Sequence, residues 1–143
     1  MTTNFDRFKA DLKSLSDRGT LLYNAMQDEQ YPARMEEHFQ KVLKKDYQIF
    51  KKSLPPFIHS YQAWYSEAQA LIKLMLPERL ADFNRLYEQP KGRREIKAEN
   101  YVIEDYLKNV TVTAGFDKKV VAGPEAAIPV FQQQLNIFNV IGS

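Results

Sequence analysis

The sequence predicts an all-α fold, a helical bundle of five or six helices with one minor β-hairpin near residues 110–121. Three observations lead there. Apolar residues recur at three-four spacing along most of the 143 residues, prolines stand where helices should start or stop, and β-branched residues flank a glycine turn in one short stretch.

The first helix is expected from Asn4, a plausible N-cap, to about Gln27, with Phe5, Phe8, Leu12, Leu15, Leu22 and Met26 on one stripe. Gly19 falls on the same stripe, where a close neighbour is the simplest reason for a residue that weakens a helix by about 1 kcal/mol relative to Ala. A second helix should run from Pro32 to about Lys52 and stop before Pro55 and Pro56. It would collect Met35, Phe39, Val42, Ile49 and Phe50 on one face and Lys41, Lys44, Lys45, Lys51 and Lys52 on the other, with Asp46 in the apolar face and in need of a partner.

A third helix, about Phe57 to Leu76, carries Phe57, Tyr61, Trp64, Ala68, Leu71, Ile72 and Met75 and is the expected core, with Ile58 and Tyr65 widening its face. Pro77 starts a fourth, bearing Leu80, Phe83, Leu86 and Tyr87. Residues 89–97 read as a basic loop, followed by a short helix from about Asn100 to Asn109 with Val102, Ile103, Tyr106 and Leu107 together. After the hairpin, Gly123-Pro124 opens a last helix to about Val140, with Ile128, Phe131, Leu135 and Phe138 on its core side. Val130, Ile137 and Ile141 form a second apolar set on the far side of that helix, which predicts cover by another copy or another chain.

Length and composition fit a single helical domain over residues 1–143: 44% hydrophobic and 27% charged residues suit a folded chain. A net charge of +2 gives no global field that would demand nucleic acid or an anionic membrane. Zero cysteines exclude disulfides, thiol nucleophiles and Cys-ligated metal, and they fit a cytoplasmic protein. With no basic-then-apolar start and no long apolar run, neither a secretory signal nor membrane insertion is expected.

The search for catalytic chemistry returns little. Five scattered glycines form no phosphate-binding loop, and the two histidines, His38 and His59, lack the surroundings of a hydrolase triad or a helical di-iron site. No metal site, no cofactor and no catalytic residue is expected. Adjacent carboxylates (Asp28-Glu29, Glu36-Glu37, Glu104-Asp105) diverge on a helix and read as solvated faces. Arg34 and His38, one helical turn apart, read as a surface pair.

The segments Ser60–Lys73, Leu76–Tyr87 and Asn100–Leu107 resemble the N-terminal helical region of a group of poorly characterised bacterial proteins. In those chains the stretch corresponding to Phe131–Ile137 leads into a further, HEPN-like helical domain, so the resemblance implies that this chain is the N-terminal part of a larger protein. HEPN ribonucleases use an Arg and a His more widely spaced than Arg34 and His38, which have three residues between them. The resemblance therefore implies architecture and a partner surface, with no catalytic residue.

The expected function is a non-catalytic scaffold, oligomerisation or regulatory module of a bacterial cytoplasmic system of the defence or toxin–antitoxin kind, self-associating or meeting a protein partner through Val130, Ile137, Phe138 and Ile141. The alternative is a nucleic-acid-binding module that uses the loop residues Lys91, Arg93, Arg94 and Lys97 with the helix residues Lys41, Lys44 and Lys45. A third reading places a small-molecule pocket around Tyr61, Trp64 and Asp46.

Overall fold

A computed structural model describes residues 3–142. Among these the fold is all-α with a small antiparallel hairpin, in the element order α1 (Asn4–Gln30), α2 (Pro32–Leu43), α3 (Tyr47–Ser53), α4 (Phe57–Met75), α5 (Leu80–Tyr87), α6 (Ile103–Leu107), β1 (Val112–Ala114), β2 (Lys119–Ala122) and α7 (Ala127–Asn139). The chain falls into two compact units, Met1–Glu67 and Ala68–Ser143, whose boundary lies within α4.

In the first unit, α1 is capped by Thr3, one residue before the expected Asn4. The Asp6 amide donates to Thr3 Oγ1 at 3.0 Å, and the Thr3 amide donates to Asp6 Oδ2 at 3.3 Å, a reciprocal capping box. The helix also runs to Gln30, three residues past the expected end, until Pro32 opens α2. Leu15, Gly19, Leu22, Ala25 and Met26 are buried on one stripe.

Gly19 has a visible reason to be glycine. The Trp64 indole donates to the Leu15 carbonyl at 2.9 Å. A carbonyl inside a helix is reached from outside only where the residue one turn on is small, and Gly19 occupies that position.

The expected second helix is two helices. Lys44 takes φ 53° and ψ −120°, a conformation unfavourable for a residue with a side chain, and a 3₁₀ turn over Lys44–Asp46 separates α2 from α3. An uninterrupted helix would hold Phe39 and Phe50 about 16 Å apart along its axis. The bend instead brings their rings to 4.6 Å and buries Tyr47, leaving Val42 and Ile49 exposed. Asp46 sits in the exposed turn, so it needs no buried partner.

Helix α4 begins at Phe57, whose amide donates to Glu29 Oε2 at 3.0 Å. Residue Glu29, expected on a solvated face, thus supplies an acceptor and negative charge at the start of α4 from 28 residues away. Phe57, Tyr61, Trp64 and Tyr65 are buried, and Tyr61 lies 5.1 Å from Phe57 and 5.7 Å from Tyr65, nearly parallel to both.

In the second unit, Ala68 and Ile72 are fully buried while Leu74 and Met75 are exposed, which trims the expected face at its C-terminal end. A 3₁₀ turn over Pro77–Arg79 leads into α5, where Phe83 is fully buried. Pairing of Val112 with Ala122, Thr113 with Val120 and Ala114 with Lys119 gives the hairpin, with a bulge between Val112 and Thr113. Gly115 at φ 82° makes its turn. Helix α7 follows a 3₁₀ turn over Pro124–Ala126 and packs against α5 and α6, burying Val130, Phe131, Gln134, Leu135, Ile137 and Phe138.

Candidate functional site

Three places in the two units gather the residues that could carry function, and each is built within its own unit.

The first is a cleft between α1 and α4 of the first unit. Arg18, Leu21 and Leu22 come from α1, His59, Ser60, Ala63 and Trp64 from α4, and Pro55 closes one end around about 310 Å³. The helical repeat explains the set. Residues 18, 21 and 22 share one side of α1, and residues 59, 60, 63 and 64 share one side of α4. Arg18 is anchored by Glu67, with Nη2 2.6 Å from Oε2. That hydrogen bond and the charge of Arg18 hold the Glu67 carboxyl below its ordinary range against the opposing effect of burial. Of the residues named for a small-molecule pocket, Trp64 lines this cleft, Tyr61 is fully buried in the core and Asp46 is exposed in its turn.

The second is the lysine segment of α2, α3 and the turn between them. Lys41, Lys44, Lys45, Lys51 and Lys52 are all exposed. Lys41 is paired at 3.5 Å with Glu37, and both side chains are about three-quarters exposed, so the pair holds little of its charge back. The segment keeps a cationic surface. Nearby on α2, Arg34 stacks over the Tyr31 ring at 4.5 Å and His38 meets the Phe39 ring edge-on at 4.9 Å, so these two residues go to different aromatic neighbours.

The third, in the second unit, is a buried clasp. Arg93 Nη1 and Nη2 donate to Asp105 Oδ2 and Oδ1 at 2.7 and 2.9 Å, with the Asp105 side chain fully buried and that of Arg93 only 9% exposed. Asp105 also accepts from the Val102 amide at 2.9 Å and from Gln89 Nε2 at 3.2 Å, and Arg93 donates further to the Asn100 carbonyl at 3.0 Å. Burial pushes the Asp105 carboxyl up, but the hydrogen bonds and charge of Arg93, the Val102 amide and Gln89 outweigh it and leave the group below its ordinary value. Arg93 is raised by the same partnership. Tyr101 beside it is raised too, by burial first and then by the charges of Asp105 and Glu125.

The clasp revises two expectations. Arg93 is committed to Asp105 and offers no donor fork to a phosphate, so the loop presents Lys91, Arg94 and Lys97 alone, all exposed. Asp105, expected on a solvated face, is the only Asp, Glu, Lys, Arg or His among the described residues that is buried. A five-residue helix carries too little periodicity to place it, and its partner lies twelve residues away in an irregular loop.

Burial also changes how the residues of the expected interface stand. Val130, Ile137 and Phe138 are 9%, 6% and 2% exposed, covered within the chain, and Ile141 is half-buried. Helices α5 and α6 both pack against α7 in the second unit. Among the described residues no group of three His, Cys, Asp or Glu stands close enough to hold a metal ion, and no helix is long and apolar enough to cross a membrane. No known family matches the chain, and no curated protein or solved structure matches it.

Proposed function

We propose that the chain is a non-catalytic interaction module that pairs with a second copy of itself through the N-terminal half of α1. One observation carries this reading. The apolar stripe of α1 keeps heptad spacing from Phe5 through Phe8, Leu12, Leu15, Gly19 and Leu22 to Met26, yet only its second half is buried. Phe5 is 64% exposed, and Phe8 and Leu12 are half-buried. A helix face that continues a core stripe into water is suited to a partner helix. The absence of cysteine supports a cytoplasmic setting, and the resemblance of residues 57–138 to bacterial helical regions supports a regulatory system of the defence or toxin–antitoxin kind.

Light scattering across a protein concentration series, at low and high salt, tests it. The expected result is a salt-independent dimer that becomes monomeric in the Phe5→Ser, Leu12→Ser double variant, with the monomer still folded and destabilised by about 1–2 kcal/mol, since Phe5 is exposed and Leu12 half-buried. A wild-type protein that stays monomeric throughout, or a dimer that survives the double substitution, overturns the reading.

The exposed lysine segment favours a second reading, a nucleic-acid-binding surface on α2 and α3. It predicts binding of short RNA or DNA that weakens steeply with salt and weakens further when Lys44 and Lys45 are both replaced by Ala, the salt slope falling by about 2. Filter-binding titrations at several salt concentrations decide it, and an unchanged slope in the double variant removes the segment from the reading.

A further inference from the structure

The cleft of the first unit has a lopsided chemistry. Leu21, Leu22, Pro55, Ala63 and the Trp64 ring make its apolar lining, and Arg18, His59 and Ser60 supply every polar group. No carboxylate lines it. The Trp64 indole N–H is taken by the Leu15 carbonyl, and its side chain is fully buried behind the accessible lining. Arg18 has five N–H donors, and its ion pair with Glu67 runs from a single terminal nitrogen. Glu67 therefore holds the guanidinium in place at the cleft while leaving donors to offer.

A volume of about 310 Å³ is at the small end of ligand sites, roughly ten water volumes at about 30 Å³ each. One fixed cation is too little for a polyanion, and a rim that holds a guanidinium and no carboxylate disfavours a cationic ligand. The geometry points to a binding site for a small monoanion with a compact apolar body, its carboxylate on Arg18 with His59 and Ser60 alongside, and its body against Leu21, Pro55 and Ala63. The inference is independent of self-association, since Phe5, Phe8 and Leu12 do not line the cleft.

Titration of the whole protein with 3-phenylpropionate, and separately with the neutral alcohol 3-phenylpropanol, tests the site. Fluorescence of the single tryptophan and backbone amide shifts in NMR spectra report binding. The acid is expected to bind at least roughly tenfold more tightly than the alcohol, as for a hydrogen bond to a charged group, with shifts concentrated at residues 18–22 and 55–64. Arg18→Gln should remove the preference while leaving weak binding of both compounds. Ala63→Leu, at an exposed position, should fill the cleft and abolish both. Equal affinities for acid and alcohol overturn the anion assignment. Shifts elsewhere, or none up to millimolar ligand, overturn the site itself.

Discussion

Replacing Arg93 by Ala is expected to destabilise the protein by about 3–5 kcal/mol, a large share of the roughly 5–15 kcal/mol that holds a typical domain together. The size follows from what the substitution leaves behind. Asp105 is fully buried, and without the guanidinium its charge keeps only the Val102 amide and Gln89. Urea unfolding followed by far-ultraviolet circular dichroism measures the loss, and a midpoint equal to wild type would show that the pair contributes nothing. Acid provides an independent handle on the same clasp. The folded-state pKa of Asp105 is depressed, so its contribution is present above the ordinary carboxylate value near pH 4 and is lost as pH falls through the folded value. Arg93 remains charged throughout that range. Wild-type stability should therefore decline below about pH 4, and the decline should be shallower in Asp105→Asn, which is less stable at neutral pH but has no carboxylate left to protonate there.

The second large effect is expected at Trp64. Trp64→Ala should cost about 3–5 kcal/mol, the range for deleting a fully buried aromatic side chain. Trp64→Phe separates packing from polarity. The Leu15 carbonyl also lies where the helical pattern brings the Gly19 amide, so losing the indole N–H should cost only about 1 kcal/mol beyond the change in volume. Equilibrium unfolding of the two variants distinguishes these cases. Equal losses would place the hydrogen bond, and not the ring, at the centre of this packing.

How much of this was legible in the sequence depends on how local the cause is. The stripe from Leu15 to Met26, the α4 core face and the hairpin at Gly115 all arise from spacing within a few residues, and periodicity finds them. The split at Lys44 does not, because it is decided by Phe39 meeting Phe50 across a bend that no pattern along one helix encodes. Asp105 and Glu29 were read as solvated for the same reason. Each is defined by a partner twelve or more residues away, Arg93 in a loop and the Phe57 amide at a helix start. The cleft was half legible. Trp64 was singled out for its ring, but Arg18 is brought beside it only by the packing of α1 on α4. The last helix misled through the opposite error, since Val130 and Ile137 seemed to need a partner chain that α5 and α6 of the same chain already replace.

The corner between α2 and α3 has a further consequence for how the first unit breathes. Lys44 holds a backbone conformation that costs on the order of 1–3 kcal/mol. Three residues on, the buried Tyr47 hydroxyl finds no hydrogen-bond partner among the described residues, a second cost of about 1–3 kcal/mol. Against these stand the Phe39–Phe50 contact and the burial of Met35 and Tyr47. Two unfavourable terms within four residues, offset by a short list of apolar contacts, lower this corner's margin against local opening. The lysines and the exposed Val42 and Ile49 are thus carried by a corner whose backbone and buried hydroxyl both oppose its fold.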